Sequence, residues 1–158
     1  GENYGFDSKG SPQPYDRAAV DGPGPFHTFS APIKDQEGRP INLPCQKPPW
    51  ARLAAVNANT GDIVWQVPLG LTDALPEGKQ NTGNSGSAGP TVTAGGLVFI
   101  GATNDNRFRA FESKTGKELW VTKLERSGNA NPISYQGRNG KQYVSIVASD
   151  RLVTFALP

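Results

Sequence analysis

Few residues in this chain are of types that carry chemistry, and their spacing suits it poorly. Cys45 is the single cysteine and His27 the single histidine among 158 residues. A thiol nucleophile needs a base within hydrogen-bond reach, and His27 sits in a Pro- and Gly-rich stretch well before Cys45, so a Cys/His pair is not the reading adopted. Two readings stay open for Cys45: a small buried side chain, the commonest fate of a free cysteine, or a thiol whose partner lies on another segment. Asp62, Asp73 and Asp105 each fall in a turn-like stretch, where a carboxylate is solvated or bonds its own turn. They lack the spacing of a Ca²⁺ loop, which needs several convergent oxygens. Arg107 and Arg109 alternate with Phe108, the pattern of a solvated strand face in preference to a phosphate contact. No catalytic and no metal-ligating residue is assigned within the chain on these grounds.

The elements that must position any site are short strands and turns. Glycine (19) and proline (14) are abundant, hydrophobic residues make up 35%, and methionine is absent, proportions that suit strands joined by many turns better than long helices. No segment approaches the ~20 apolar residues of a membrane span. The first residues lack the basic-then-apolar layout of a signal peptide, so Gly1 reads as the start of a mature, processed or excised chain. A net charge of +2 is too mild to imply nucleic acid. Residues 1–50 carry prolines at short intervals, which removes backbone donors and biases neighbours toward extended conformations. That segment is expected to be irregular, with one or two short edge strands, and to pack on a larger body.

From residue 51 onward one phrase is written twice: Ala55-Val56-Asn57-Ala58-Asn59-Thr60-Gly61-Asp62-Ile63-Val64-Trp65 and Ala110-Phe111-Glu112-Ser113-Lys114-Thr115-Gly116-Lys117-Glu118-Leu119-Trp120. Each copy reads as a hairpin whose Gly takes positive φ and whose Thr hydroxyl bonds the local backbone. The two tryptophans lie about 55 positions apart, somewhat more than the roughly 40–50 residues of common propeller repeats, and the polar insertion over residues 71–87 accounts for the excess. Strands are expected at 53–57, 62–67, 91–93, 97–101, 108–112, 118–122, 133–135, 142–148 and 152–156. The nearly continuous apolar runs at 97–100 and 144–147 predict strands covered on both faces, as between stacked sheets. These readings assemble into an all-β fold, a partial β-propeller of about two and a half four-stranded blades over residues 51–158, where a closed ring needs ~4–8.

The stretch Thr93-Ala94-Gly95-Gly96-Leu97-Val98-Phe99-Ile100-Gly101, then Phe108-Arg109-Ala110-Phe111 and Thr115-Gly116-Lys117-Glu118-Leu119-Trp120, resembles the C-terminal blades of the quinoprotein alcohol and glucose dehydrogenases, which use pyrroloquinoline quinone (PQQ). Asn131-Pro132-Ile133-Ser134-Tyr135, Gly140-Lys141-Gln142-Tyr143-Val144 and Phe155-Ala156-Leu157-Pro158 continue the likeness in order, and Leu43-Pro44-Cys45-Gln46-Lys47-Pro48-Pro49-Trp50 is similar to the membrane-bound glucose dehydrogenase branch. The resemblance implies an eight-bladed propeller locked by tryptophans at the Trp65 and Trp120 positions. It implies PQQ and Ca²⁺ as cofactors of the complete enzyme, with the main ligands and the base outside this chain. It also implies an alcohol or sugar substrate, a quinone or cytochrome acceptor, the remaining blades as partner, and a periplasmic location, with any membrane association through an upstream segment. Two loops match passages that line the cofactor face: residues 83–90, with Asn84, Ser85, Ser87 and Ala88, and residues 128–132, with Asn129 and Asn131. Their small side chains would let a planar ligand approach the backbone; the plainer reading is ordinary blade-connecting loops. The direct turn Ala148-Ser149-Asp150-Arg151 departs from the family, whose members commonly carry a glycine-rich loop there. A non-catalytic, quinoprotein-like propeller scaffold of the cell envelope is the alternative to the enzyme.

Overall fold

The computed structural model describes residues 30–156, which fall into two units divided between Gln46 and Lys47. In the first unit, β1 (Ser30–Lys34) and β2 (Pro40–Pro44) pair antiparallel. Asp35 ties their turn: its Oδ1 accepts from the backbone N–H of Glu37 at 3.0 Å and of Arg39 at 2.8 Å. Prolines within both strands suit a two-stranded ribbon, since each removes a ladder donor. Cys45, just past β2, is exposed, so the buried alternative is not realised. His27, and with it any pairing with Cys45, lies outside the described residues.

The second unit contains nine strands in three antiparallel sheets. The first sheet pairs β3 (Arg52–Val56) with β4 (Ile63–Pro68). The second runs β5 (Thr91–Val92), β6 (Leu97–Ile100), β7 (Arg107–Glu112) and β8 (Glu118–Lys123) in chain order. The third contains β9 (Ile133–Gln136), β10 (Gln142–Ala148) and β11 (Arg151–Ala156), again as a meander. This is the expected half blade, full blade and three-stranded partial blade, with ends shifted by a residue or two where the ladder outlasts the apolar pattern. No helix is present among the described residues, so none is long and apolar enough to cross a membrane.

The central sheet buries both faces because successive side chains alternate across a strand. Val98, Ile100 and Phe111 turn to one side, where they pack with Leu53 and Leu69 and with the partly buried Trp65 and Val67. Phe99, Phe108 and Ala110 turn to the other, against Val144, Ile146 and Ala148 of the third sheet. Phe108 is wholly inaccessible to solvent. The run at 144–147 is covered less fully than expected: Val144, Ser145 and Ile146 are buried, but Val147 is 43% exposed on the outward face of the third sheet.

Both copies of the repeated phrase fold alike. Gly61 and Gly116 take φ of 80° and 72°. Asn57 N–H donates to Asp62 O and Gly61 N–H to Asn57 O, and the second copy repeats this with Glu112, Lys117 and Gly116. The Thr60 and Thr115 hydroxyls accept from the backbone two residues on, at 3.3 and 3.2 Å. Each hairpin also bulges at the same place, between Ala55 and Val56 and between Ala110 and Phe111. The Trp65 indole reaches the next blade, donating from Nε1 to Ser113 O at 2.9 Å and lying so close to Gly116 that a Cβ there would meet Cε3 at 2.5 Å. Trp120 packs edge-on against Phe108 and against Phe155 of the third sheet, with ring centroids 5.8 and 5.3 Å away.

A second expectation fails. Arg107 and Arg109 do not form a solvated face: the Arg109 side chain is 3% exposed and pairs with Asp105, at 1%. Asp105 is likewise a buried ion-pair member, and Asp73 pairs with Arg107 at 3.0 Å. The connection from β4 to β5 folds over this end of the second sheet, which a period-two pattern within one strand does not register.

Candidate functional site

The connections between blades and those between β6 and β7 emerge at one end of the second unit, because each meander returns its strands alternately. Residues 83–90, 101–106 and 128–132 therefore come together, although they are distant in sequence. Asn84 N–H donates to Leu69 O at 2.8 Å and its Nδ2 to Leu71 O at 2.8 Å. Ser85 O accepts from Asn104 N–H at 2.9 Å, and its hydroxyl lies 3.4 Å from Asn104 Nδ2. Gly86 lies directly on the Ala102 carbonyl, where a Cβ would overlap the oxygen. The two loops singled out in the sequence touch each other: Asn131 Oδ1 accepts from Gly89 N–H at 2.6 Å.

Of the six candidate residues, Ser85, Ser87, Asn129 and Asn131 are exposed, Asn84 and Ala88 half-buried. Ala88 packs against the core cluster between the first two sheets, so its side chain serves packing. The surface they form is neutral, small and polar. Sequence reasoning missed the floor beneath it. Ala102 has φ of 54°, a conformation that costs a non-glycine residue about 1–3 kcal/mol, and its N–H is held by Gly128 O at 2.9 Å. Asn104 clamps Ser85. Neither residue type nor spacing signals these roles, because both depend on which loops are stacked.

Beside this floor lies a network of fixed charge. Asp105 Oδ1 accepts from the Thr103 hydroxyl at 2.6 Å, from Arg107 N–H at 3.1 Å and from Arg109 Nη1 at 3.3 Å. Its Oδ2 accepts from Leu71 N–H at 2.8 Å and from Arg109 Nη2. Arg109 Nε reaches Glu118 at 3.2 Å. Burial pushes the Asp105 carboxyl up, but the Arg109 guanidinium, the Thr103 hydroxyl and the Leu71 N–H outweigh it and hold the pKa below the ordinary aspartate value. A groove of about 400 Å³ runs past Leu71, Arg107, Arg109 and Glu118. Both arginines along it are already paired, so it offers no free cation to an anionic ligand.

No group of three or more His, Cys, Asp or Glu side chains able to hold a metal occurs among the described residues. The described residues thus gather no carboxylate cluster of the kind a Ca²⁺ site uses. They do fit one wall against a planar polar group, with neutral donors and acceptors exposed over tightly packed backbone.

Stacked antiparallel meanders locked by a tryptophan from one sheet to the next define a segment of β-propeller. Residues 8–144 match the family described as PQQ glucose/ethanol/alcohol dehydrogenase, beta-propeller domain, and the chain belongs to that family. It is 40% identical over 134 residues to quinoprotein glucose dehydrogenase A of Acinetobacter calcoaceticus, covering 75% of this chain and 17% of that protein. It is 38% identical to the glycerol dehydrogenase large subunit of Gluconobacter thailandicus, covering 89% of this chain and 20% of the relative. Among solved structures, the quinohemoprotein alcohol dehydrogenase of Comamonas testosteroni superposes with a TM-score of 0.50 at 28% identity, over 75% of this chain and 17% of that one. The chain thus spans no more than about a fifth of these relatives' length.

Proposed function

We propose that the chain forms the C-terminal blades of a PQQ-dependent dehydrogenase oxidising an alcohol or a sugar, where it completes the propeller and walls one side of the cofactor channel. The observation that supports this best is the convergence of residues 83–90 and 128–132 at one end of the blades, joined by the Gly89–Asn131 hydrogen bond. When bound, the quinone supplies the two-electron oxidant for the substrate. Asn84, Ser85, Ser87, Asn129 and Asn131 orient it and exclude water on this side, over Ala88, which packs beneath them. Ca²⁺ and the base belong to other blades, electrons leave to a quinone or cytochrome, and the enzyme works in the periplasm.

The test uses the complete enzyme, stripped of cofactor and titrated with PQQ in the presence of Ca²⁺. PQQ is a polycarboxylate, so a carboxylate added to the wall by Ser87→Asp or Asn129→Asp repels it. Each variant is expected to weaken PQQ binding at least about tenfold, the equivalent of 1.4 kcal/mol. Unchanged dissociation constants for both would remove the wall assignment, and failure of the unaltered enzyme to bind PQQ would leave the scaffold reading.

A further inference from the structure

Besides the hydrogen bond between its two loops, the wall is braced from beneath. Leu71 stands between two side chains that grip its two backbone polar groups: Asp105 Oδ2 accepts its N–H at 2.8 Å, and Asn84 Nδ2 donates to its carbonyl at 2.8 Å. Because a carbonyl accepts only a donor, this contact fixes which end of the Asn84 amide faces Leu71. Gly70, at φ 95°, lets the backbone pass between Asn84 and Thr103, where a Cβ would meet Asn84 Cβ at 2.8 Å and Thr103 Cγ2 at 3.0 Å. Asp105 also accepts from the Thr103 hydroxyl at 2.6 Å and is fixed by Arg109, which is itself buried. A carboxylate at 1% exposure with every oxygen engaged has little freedom, so the position of Leu71 is set from the interior of the second blade.

We infer that Asp105, fixed by Arg109 and Thr103, is a positioning residue that sets the orientation of Asn84 on the cofactor wall through the Leu71 peptide groups. The inference rests on the proposed function and concerns a residue that does not touch the cofactor. It requires that the effect of Asp105 on PQQ pass through Asn84. A merely structural role would change stability and leave that coupling absent.

A double-mutant cycle in the complete enzyme reads the coupling. Asn84→Ala, Asp105→Asn and the double variant are titrated with PQQ and Ca²⁺, with thermal midpoints recorded for each. Asn84→Ala is expected to weaken PQQ binding about tenfold, the scale of one hydrogen bond. Asp105→Asn should weaken it severalfold, and the double variant no further than Asn84→Ala alone. Val144→Ala, which opens the core between the other pair of sheets, should lower the thermal midpoint yet leave the dissociation constant unchanged. Thr103→Val removes one hydroxyl donor from Asp105 while keeping the ion pair, and serves where Asp105→Asn fails to fold; it should show the same non-additivity with Asn84→Ala. Multiplying effects in the double variant, or an unchanged constant for Asp105→Asn and Thr103→Val beside a weakened Asn84→Ala, would overturn the inference alone. So would a Val144→Ala variant that loses PQQ affinity in step with its midpoint. An unchanged constant for Asn84→Ala would remove the wall reading, and the inference with it.

Discussion

At the scale of single residues, the Asp105–Arg109 pair has a consequence that pH exposes. Its carboxyl pKa is lowered in the folded protein, against about 3.9 in an unfolded chain. A lowered folded pKa contributes stability that is complete above the unfolded value and is lost as pH falls through the folded one. Unfolding free energy should therefore be insensitive to this group from neutral pH down to about 5 and decline below about 4. Asp105→Asn should be less stable at neutral pH and show a shallower acid limb when denaturation midpoints are followed against pH. Equal acid limbs would mean that the carboxylate is not held as the structure shows. The residue types at 105–109 were legible, but the solvated reading of Arg109 was wrong. A buried guanidinium is tolerated only with its hydrogen bonds satisfied, and the partners, Thr103, Asp105 and Glu118, are supplied by chain reversal.

At the scale of elements, the two Thr-Gly hairpins form a matched pair with one controlled difference. Gly61 is exposed, with no atom within 4 Å of the place a Cβ would take, whereas Gly116 is covered by the Trp65 indole. Gly61→Ala incurs only the strain of positive φ, about 1 kcal/mol. Gly116→Ala adds displacement of the indole and strain on its bond to Ser113, for a total of about 3 kcal/mol or more. Denaturant midpoints of the two variants in the complete enzyme, compared side by side, check the difference; equal losses would mean that Trp65 does not dock on that turn. The hairpins themselves were readable because their determinants are local: Gly at the positive-φ position, a Thr hydroxyl two residues before the amide it accepts, and alternation into the next strand. Ala102 was not, because its left-handed backbone is imposed by Gly86 above it and Gly128 beside it.

At the scale of the whole molecule, the second unit leaves apolar side chains on the outward faces of its first and last sheets. Val56, Ile63 and Val64 are 57–62% exposed on the first, and Ile133, Tyr135, Val147 and Leu152 are 42–66% exposed on the last. Such faces bind another sheet or associate with themselves. Prepared on its own, the chain is expected to sediment as dimers or larger species whose proportion rises with concentration; a single monomeric boundary across a hundredfold concentration range would contradict this. Sequence alone determined the all-β class, the blade register, the turn chemistry and the family likeness, since strand period, Gly-Thr turns and repeat spacing act over neighbouring residues. Tertiary structure alone decided that residues 83–90 and 128–132 meet through Gly89 and Asn131, that Ala102 and Asn104 form their floor, and that Asp105 and Arg109 are a buried pair. Those outcomes depend on how one blade stacks on the next, and the energy of a buried charge or a close backbone contact is set by what covers it.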